Sequence, residues 1–465
     1  MNLAPYTKYL KCEPPLLGHI PWLTRLPDRW QVIPSKRLFV HRKERAREGD
    51  IQLSATQAYG VIPQAEFERL VGRKVVRITH NLEKRAHVEP DDFVISMRSF
   101  QGGLERAWAR GCIRSSYVVL EPTPQAHVGY FAHLFKCADY ISALQATSDF
   151  IRDGQDLNFG NFSLVDLPLP PKEEQEKIAR FLDRESFRIK KFIRNKRRLI
   201  ELLREQKQNI INQAVTRGLD PNVKLQPSGV EWIGDIPAHW DFRRVKYLCR
   251  NVNKQTSEKG SDEVYIALEY VEGWTGQISL PDEDVSFVSQ VKRFEAGDIL
   301  FGKLRPYLAK VARPENRGVC VGEFLVLRPS RDKLVAEFLE QKLRSRDVID
   351  IINSSTFGAK MPRADWAFIG NLMIAYPPLG EQREILGYIQ KRSAETDQAI
   401  TRAEREIELI REYYTRLISD VVTGQVDVRG MEVPDVTEEK RQVLDYSPEE
   451  AEDLVDDEAA AEVAQ

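Results

Sequence analysis

The chain has no long hydrophobic run. Its apolar stretches all fall short of the roughly 18 residues that a membrane-spanning helix needs. The first residues, MNLAPYTKYLKCEPP, have none of the apolar core of a secretory signal peptide. The sequence therefore predicts a cytoplasmic protein that does not contact a membrane, and its 465 residues leave room for more than one domain.

Cysteine is scarce and scattered. The five cysteines form no CxxC pair and stand at Cys12, Cys112, Cys137, Cys249 and Cys320. This excludes a disulfide framework or a zinc ribbon and fits a reducing compartment. The nearest approach to metal-ligand spacing is His127, His133 and Cys137, but the phenylalanines and leucines between them favour a packed helix. We predict no metal in this chain.

Signatures of catalysis are missing as well. No GxxxxGK[ST] loop is present to hold ATP. The tetrapeptide YPPL (376–379) has the two prolines of an adenine methyltransferase motif but not its flanking residues, and PDEDV (281–285) lacks the lysine that a common nuclease motif requires. The acids of EEQE (173–176) favour a helix start over a pair of catalytic carboxylates. We predict that the chain is not an enzyme and binds no cofactor.

Charge is unevenly placed. The net charge is −2, but residues 431–465 hold thirteen acidic and two basic side chains, a balance of −11. The remaining residues therefore carry +9, which is −2 minus −11. A basic body suits a polyanionic partner. The acidic tail has little to pack and is predicted to be disordered.

A long internal repeat is present. Shifting the sequence by 207 residues aligns 170–220 with 377–427 without a gap, and 17 of these 51 positions are identical. PPKEEQEKI (170–178) returns as PPLGEQREI (377–385), and weaker matches join 21–30 to 231–240 and 91–100 to 297–307. A unit this long is far longer than a solenoid repeat, so the chain is predicted to be a tandem duplication of two domains.

Each copy of the repeat predicts a long helix. From Lys172 to Arg217 the chain has no Pro or Gly and is rich in strong helix formers, with Gly218 after it. A helix of this length would extend roughly 68 Å. Apolar residues recur at spacings of three, four and their sums in both copies, which is typical of a coiled-coil seam. The predicted seam consists of Ile178, Leu182, Ile193, Ile200, Leu203, Ile210 and Ala214 with Ile385, Ile389, Ile400, Ile407, Ile410, Leu417 and Val421.

Matching seams of equal length favour an antiparallel pair of helices within one chain, and two helices packed separately are the alternative. The resulting fold class is α+β, with two globular domains separated by two long helices in a pseudo-twofold repeat. The predicted boundaries are 1–170 for the first domain, 171–220 for the central helix, 221–376 for the second domain, 377–430 for the C-terminal helix and 431–465 for the tail.

The globular halves resemble each other at their edges and differ in the middle, as expected for one scaffold with two recognition surfaces. A pseudo-twofold, basic protein suits two spaced half-sites on a DNA duplex. Arg and Gln can contact base edges and Lys suits phosphates. For each candidate a surface or scaffold role remains the alternative. The candidates are Gln57, Tyr59, Gln64, Arg98, Ser99, Gln101, Trp274, Gln277, Lys303, Arg305, Tyr307, Lys360 and Arg363.

Two other functions fit the same pattern. A scaffold could hold two proteins apart without touching DNA, and it would show no salt-dependent binding to DNA. A solitary DNA-binding regulator would bind tightly without partner subunits. Measuring duplex binding at increasing salt concentration distinguishes the scaffold from a DNA-binding protein. Gel shifts with and without partner subunits distinguish the solitary regulator from a protein that needs them.

The segments GVEWIGDIPAHW, PPLGEQREI, GDILFGKLRPY, FGAKMPRADWAFIGN and FIRDGQDLNF together resemble the specificity subunit of type I restriction–modification systems. The resemblance extends from about Pro21 to Val428 and does not include the acidic tail. It implies two target-recognition domains that each read one part of a split double-stranded DNA sequence. The two helices would set the spacing and dock two modification (methyltransferase) subunits.

The resemblance also implies the chemistry of the partners. The modification subunits would use S-adenosylmethionine to methylate adenine, and added restriction (motor-nuclease) subunits would use ATP and Mg²⁺ to cleave unmodified DNA. Base-contacting residues vary with the target in this family. The resemblance therefore assigns none of them to a position here.

Overall fold

The computed structural model describes residues 22–23, 25–72, 74–75, 82–96, 99–147, 157–281, 290–356 and 361–431. The predicted acidic tail lies outside these residues, apart from Met431. The chain divides into two compact units. Unit 1 contains the described residues up to Lys196 and from Arg405 onward, and unit 2 is Arg197–Glu404. Each unit therefore contains one globular half of the sequence and one part of each long helix.

Unit 1 is a mixed α+β structure. Its strands are β1 (Gln31–Pro34), β2 (Phe39–Arg42), β3 (Leu53–Thr56), β4 (Gly60–Pro63), β5 (Ala86–Val88), β6 (Phe93–Ile95), β7 (Glu105–Arg106), β8 (Gly111–Ile113), β9 (Val118–Pro122) and β10 (Asp166–Leu169). Its short helices are α1 (Ser35–Leu38), α2 (Gln64–Val71), α3 (Ser99–Gly102), α4 (Val128–Leu134), α5 (Ala138–Gln145) and α6 (Phe159–Ser163). The main sheet has the order β2-β9-β6-β7 and is antiparallel, with β1–β10, β3–β4 and β5–β8 as separate pairs.

The core of unit 1 is aromatic. Phe39 on β2 lies within 5.1–5.8 Å, between ring centroids, of rings on the sheet, on α4 and on α6. Edge-to-face contacts of this kind add to the free energy gained by burying the rings. Alternating apolar residues on one face of the sheet and the apolar faces of α4 and α5 form this core. Val94 and Val119, on the other face of the sheet, belong to a second hydrophobic cluster.

The first long helix is α7 (Lys172–Arg217), which spans the segment without Pro or Gly. Two acids, Glu173 and Glu174, stand in its first turn, where they favour the positive end of the helix dipole. The helix ends as Gly218 takes φ 79°, a left-handed conformation that glycine adopts without steric cost, and Gly218 N–H donates to Ala214 O at 3.2 Å.

Unit 2 repeats this architecture. Its strands are β11 (Leu225–Pro227), β12 (Asp235–Pro237), β13 (Asp241–Arg244), β14 (Cys249–Val252), β15 (Gln255–Thr256), β16 (Val264–Ile266), β17 (Val291–Phe294), β18 (Ile299–Gly302), β19 (Val311–Ala312), β20 (Gly318–Val321), β21 (Phe324–Pro329) and β22 (Met373–Tyr376). Its helices are α8 (Ala336–Leu343), α9 (Arg346–Ser354), α10 (Trp366–Asn371) and α11 (Leu379–Val422), of which α11 continues into unit 1. The sheets have the orders β14-β21-β18-β19 and β15-β17-β20-β16.

Strand register shows that the two halves are copies. Val40 lies opposite Glu121 in the β2–β9 pair, and Arg250 lies opposite Arg328 in the β14–β21 pair. Both positions follow the sequence repeat, with offsets of 210 residues on the first strand and 207 on the second. The predicted α+β class and tandem repeat are therefore confirmed.

The two long helices pack antiparallel in each unit. In unit 1, Ile178 and Leu182 of α7 share a hydrophobic cluster with Leu417 and Val421 of α11. In unit 2, Ala214 of α7 shares the other cluster with Ile385 and Ile389 of α11. Eleven of the fourteen predicted seam residues are buried. The other three are half-buried, and they are Ile193, Leu203 and Ile210. Antiparallel pairing is thus confirmed in both units.

Ion pairs flank the helix pairing. Lys196 pairs with Glu406 in unit 1, and Lys207 pairs with Asp397 at 2.7 Å in unit 2. These side chains are partly exposed to solvent, so each pair contributes little stability and mainly favours this register of the two helices.

The repeated Glu-Gln motif holds each long helix to its own globular half. Gln175 Nε2 donates to Gln125 O and Pro170 O, and Gln175 Oε1 accepts from His127 N–H. Gln382 repeats every contact, with Lys333 O, Pro377 O and Val335 N–H as its partners. Both glutamines are almost completely buried. One amide side chain thus satisfies both acceptors and a donor, which explains why the motif recurs.

Candidate nucleic-acid interface

Loops 271–278, 303–310 and 361–364 of unit 2 meet, and we call them the second loop cluster. Backbone hydrogen bonds join them, from Trp274 N to Ala309 O at 3.2 Å, from Arg305 N to Pro362 O at 2.8 Å and from Ala364 N to Lys303 O at 2.9 Å. Gly273 is necessary at this junction, because a Cβ there would lie 2.3 Å from Leu308 O. Segments distant in sequence thereby form one continuous surface.

Six of the predicted DNA-binding residues lie in the second loop cluster. Trp274 and Lys303 are half-buried. The exposed members are Gln277, Arg305, Tyr307 and Arg363. The predicted residue Lys360 lies outside the described residues. The cluster therefore presents amide, guanidinium and phenol groups to solvent, and these are the groups that contact bases and phosphates in protein–DNA complexes.

The backbone around Arg305 is strained. Arg305 and Ala309 both have φ 49°, in the left-handed region, and they flank the one-turn 3-10 helix Pro306–Leu308. A residue with a Cβ in this region costs roughly 1 kcal/mol or more, and such strain is common where a binding surface must be shaped. The turn leaves Tyr307 45% exposed.

Arg363 and Glu323 form an ion pair at 3.0 Å in the same region. The Arg363 side chain is 61% exposed, so solvent weakens the interaction. A phosphate group could replace the carboxylate at small cost, since guanidinium groups bind both anions in the same geometry.

In unit 1 the candidate residues lie on the β3–β4 hairpin and on α3. Gln57 and Tyr59 are in the hairpin turn and are half-buried, whereas Gln101 on α3 is exposed. The Gln57 amide lies against Gly102, where a Cβ would come within 2.3 Å of the amide carbon. The hairpin turn and α3 are therefore neighbours. Arg98 lies outside the described residues.

Two other candidates of unit 1 are buried. Ser99 is fully buried, and its hydroxyl accepts a hydrogen bond from Ser96 N–H at 2.8 Å. Gln64 is 8% exposed and begins α2. Both side chains occupy structural positions in this conformation. The sequence makes both of them DNA-contact candidates with a scaffold role as the alternative, and their burial in this conformation favours the scaffold role.

Trp108 is a surface residue that sequence reasoning missed. It is 53% exposed, and the Arg106 guanidinium lies 4.3 Å from its ring centroid. Asp91 binds Arg106 through its carboxylate, with the Arg106 Nε to Asp91 Oδ1 distance at 2.9 Å. Trp108 N–H donates to Val61 O at 3.0 Å, next to the hairpin turn. A rigid, exposed aromatic ring with a stacked cation is typical of a nucleic-acid contact.

The position of Trp108 differs between the repeats. By strand register, Arg106 corresponds to Arg313 and Trp108 to Glu315. Arg313 is tied to Glu337 and Glu340 on α8. Unit 1 therefore has a stacking surface at a place where unit 2 has an acidic residue. One feature of the sequence indicates that Trp108 is exposed. The residues two positions before and after it, which would share its face of a strand, are not apolar.

The cysteines and histidines are in structural environments. Cys112, Cys137, Cys249 and Cys320 are buried and free. Burial raises the pKa of the Cys249 thiol to about 12, and that of Cys320 likewise to about 12, so neither is a reactive thiolate at neutral pH. His133 Nε2 pairs with Asp183 at 2.9 Å. Within the described ranges no group of three His, Cys, Asp or Glu side chains is placed to hold a metal ion.

Across the part of the chain that the structure describes, every helix is too short or too polar to cross a lipid bilayer. Two loop regions are exposed and chemically varied, namely the β3–β4 hairpin turn with α3 in unit 1 and the second loop cluster in unit 2. Both are built on the same sheet positions, since the loop after β6 corresponds to the loop after β18. The arrangement supports binding of a polar ligand.

Comparisons with known proteins point to one family. The specificity subunit of the type I restriction enzyme MjaVIII from Methanocaldococcus jannaschii is 22% identical over 438 residues, which cover 88% of this chain and 95% of that protein. The EcoKI specificity subunit from Escherichia coli K12 is 22% identical and covers 80% and 84% of the two chains. The EcoDI specificity subunit from Escherichia coli is 21% identical, and the match spans 51% of this chain and 57% of that protein. No protein-family model matches the chain.

The fold is also found in solved structures. A chain from a structure of a type I R–M system has a TM-score of 0.62 to this chain at 14% identity, and the match covers 86% of this chain and 99% of the other. This chain is thus related over most of its length to type I specificity subunits and has the fold of a type I R–M component.

Proposed function

We propose that this chain is the DNA sequence-specificity subunit of a type I restriction–modification complex. It recognises a split DNA target, docks modification and restriction subunits, and performs no catalysis itself. The observation that supports this most is the doubled fold with differing loop surfaces. Two copies of one scaffold present Trp108, Gln57 and Gln101 in unit 1, and Arg305, Tyr307 and Arg363 in unit 2. One scaffold with two surfaces suits a target of two unlike half-sites.

The long helices α7 and α11 set the distance between the half-sites in this proposal. Their burial in matching clusters makes each a stiff element in its unit. The exposed remainder of both helices docks two methyltransferase subunits, which supply S-adenosylmethionine chemistry. Restriction subunits then supply ATP-dependent cleavage with Mg²⁺. The complex works on cellular DNA, and we place it in the cytoplasm.

A domain exchange tests the proposal. Residues 40–145 are replaced by the corresponding segment of another specificity subunit, and genome methylation is mapped by long-read sequencing in cells that carry the methyltransferase subunits. We expect one half of the methylated sequence to change while the other half and the spacing stay the same. Exchanging the matching segment of unit 2, residues 250–352, is the matched control and should change the other half-site alone.

Two results would contradict the proposal. Loss of both half-sites from a folded exchange variant would argue against separate reading surfaces. Binding of duplex DNA that does not depend on salt, or no binding at all, would favour a protein scaffold that does not contact DNA.

A further inference from the structure

Unit 2 has a cationic surface outside the second loop cluster. It lies on β13, on the 3-10 turn Val245–Tyr247 and at the start of β14. Its exposed residues are Phe242, Arg243, Arg244, Lys246, Tyr247 and Arg250, and we call them the β13–β14 patch. Tyr247 is 60% exposed, and the Lys246 ammonium lies 5.5 Å from its ring centroid.

Within the part of the chain that the structure describes, the cations of the patch have no carboxylate partner. Among the described residues, no Asp or Glu forms an ion pair with Arg244, Lys246 or Arg250. Arg250 lies directly opposite another cation, Arg328, in the β14–β21 ladder. Like charges in this position destabilise a strand pair. Arg328 itself uses both carboxylate oxygens of Asp298, at 2.7 Å each. Within the described ranges, Arg250 therefore has no anion as a partner.

Unit 1 differs at three of these positions, whereas Lys36, at the position of Lys246, keeps the lysine. The repeat places Ile33, Pro34 and Val40 where unit 2 has Arg243, Arg244 and Arg250. Val40 lies opposite Glu121 and not opposite a cation. Both halves hold their long helix in the same way, through the glutamine at its start. That shared function therefore does not explain why unit 2 alone has the three arginines.

The patch continues toward the second loop cluster. A Cβ added at Gly370 would lie 3.5 Å from Lys246 Cβ, so Lys246 packs against α10. Helix α10 begins at Trp366, two residues after loop 361–364. Helix α10 therefore lies between the second loop cluster and the patch. A ligand that is bound on the cluster and extends along α10 would next contact the patch.

We propose that the β13–β14 patch binds phosphate groups of duplex DNA that flank the second half-site, without reading their sequence. This rests on the proposed function, since the loop cluster must hold the DNA for its backbone to reach the patch. Continuous duplex fits better than an acidic protein segment, because the cations lie on successive elements next to the second loop cluster. Arg244, Lys246 and Arg250 form no ion pair with the described residues. Arginine binds phosphate through two parallel hydrogen bonds, and lysine contributes a point charge.

The test compares two sets of charge removals in the full chain with its methyltransferase subunits. The patch variant carries R244Q, K246Q and R250Q. The control carries R47Q, R69Q and R317Q, three arginines outside the long helices that are 44%, 77% and 57% exposed and already paired with a Glu or Asp. Binding of the methylated target sequence and of a random duplex is measured over a fourfold range of salt concentration.

The patch variant should bind both duplexes more weakly, with an unchanged ratio between them. Each lost phosphate contact reduces the slope of log affinity against log salt by about 0.9, so three contacts reduce it by about 2.7. Over a fourfold salt range, the affinity of the variant then changes about 40-fold less than that of the wild type. The control should change the slope by less than about one phosphate contact.

A charge-preserving variant, R244K/K246R/R250K, should keep the wild-type slope, which separates phosphate binding from misfolding. An unchanged slope in the patch variant overturns the proposal. So does loss of the methyltransferase subunits from the purified complex with normal salt dependence, because the patch would then be a protein interface. If the wild type itself shows no salt-dependent DNA binding, the proposed function fails together with this inference.

Discussion

Units 1 and 2 hold the same backbone carbonyl with different donors. In unit 1 the Tyr130 hydroxyl donates to Val422 O at 2.8 Å, and in unit 2 the Lys342 ammonium donates to Val215 O at 2.9 Å. Val215 and Val422 are matching positions of the repeat in the last turns of α7 and α11. Carbonyls in a last helical turn have no partner within the helix and need one from elsewhere. The geometric requirement has been kept after duplication, while the side chain that meets it has changed.

The glutamine at the start of each long helix shows the opposite case. Gln175 and Gln382 make the same three contacts in both units, and neither has been replaced. A single donor can be supplied by Tyr or by Lys, but two donated hydrogen bonds and one accepted hydrogen bond at one buried, uncharged side chain require an amide. Identity between the repeats is therefore retained where one residue type alone meets the requirement.

Away from the helices the two units differ in charge and not only in residue type. The cross-strand pair Val40–Glu121 of unit 1 corresponds to Arg250–Arg328 of unit 2. Trp108 likewise corresponds to Glu315. The differences collect on exposed positions near the loops, which is where two half-sites of different sequence would require them.

Replacing the shared glutamine should have the largest effect on stability. Gln175→Leu and Gln382→Leu each leave two carbonyls and one N–H unpaired in a buried site, so we expect a loss of about 3 kcal/mol in the free energy of unfolding of the affected unit. The measurement is urea unfolding, with Gln213→Leu on the exposed face of α7 as the control. The comparison predicts equal losses, and a loss in one unit alone would show that the motif is not equivalent in the two.

The Tyr130–Lys342 difference predicts opposite responses to alkaline pH. Burial lowers the pKa of Lys342 to about 8, from the ordinary 10.5. The unfolded chain therefore binds this proton more tightly, and the contribution of Lys342 to the free energy of unfolding of unit 2 should rise between pH about 8 and about 10.5. The raised pKa values of the Cys249 and Cys320 thiols act in the opposite direction above pH about 9, so the Lys342 contribution is measured against a variant that lacks it. The rise is bounded by the pKa shift, on the order of 3 kcal/mol. Burial raises the pKa of Tyr130 well above 10, so unit 1 should lose stability above that pH.

Urea unfolding of the wild type, Lys342→Met and Tyr130→Phe between about pH 7.5 and about pH 10.5 measures this contrast. The difference in the free energy of unfolding between the wild type and Lys342→Met should rise over this range, and the difference between the wild type and Tyr130→Phe should fall near its upper end. Tyr140 also has a raised pKa through burial and keeps part of the fall in Tyr130→Phe. A pH profile of Lys342→Met that is identical to the wild type would mean that Lys342 is not the titrating group.

The Trp108–Glu315 difference should appear in DNA binding. Trp108→Ala removes a stacking surface worth roughly 1–3 kcal/mol for one base, so affinity for the methylated target should fall about tenfold or more. Glu315→Ala, at the matching position of unit 2, should not weaken binding. Filter binding or fluorescence anisotropy with the assembled complex measures both, and equal effects would remove the distinction between the two surfaces.

The acid before each glutamine should have the smallest effect. Glu174 accepts two hydrogen bonds from Arg29, at 2.7 and 2.9 Å, whereas Glu381 accepts from Trp240 Nε1 at 3.0 Å and pairs with His239. Glu174→Gln weakens an ion pair and should cost about 1 kcal/mol. Glu381→Gln keeps an acceptor for Trp240 and should cost less. Thermal unfolding measures both, and the reverse order would contradict these assignments.

The long helices and their pairing were predictable from the sequence. A segment without Pro or Gly has no local reason to stop before Gly218, and duplicated apolar spacing leaves the two seams to pack on each other. The seam was less predictable near the middle of the helices. Leu203 and Ile210 are only half-buried, since the neighbouring residues Ile200 and Ile211 take the buried positions.

The candidate interface was only partly predictable. The residues of the second loop cluster were found individually, but the bond from Trp274 to Ala309 joins segments 35 residues apart and has no sequence signal. The burial of Ser99 was not predicted, because its local hydrogen bond to Ser96 depends on the turn that follows β6. The difference in charge between the β13–β14 patch and the matching surface of unit 1 could not be predicted without the strand register. The register shows that Arg250 lies opposite Arg328.

The spacing of the DNA target tests the central claim most directly. One heptad is inserted into each long helix at matching positions, after Arg198 and after Arg405, so that the seam keeps its phase. Seven residues add about 10.5 Å to each helix, and methylation mapping should show the same two half-sites separated by about three more base pairs. Methylation of the original sequence with its original spacing would contradict the role of the paired helices in setting the distance.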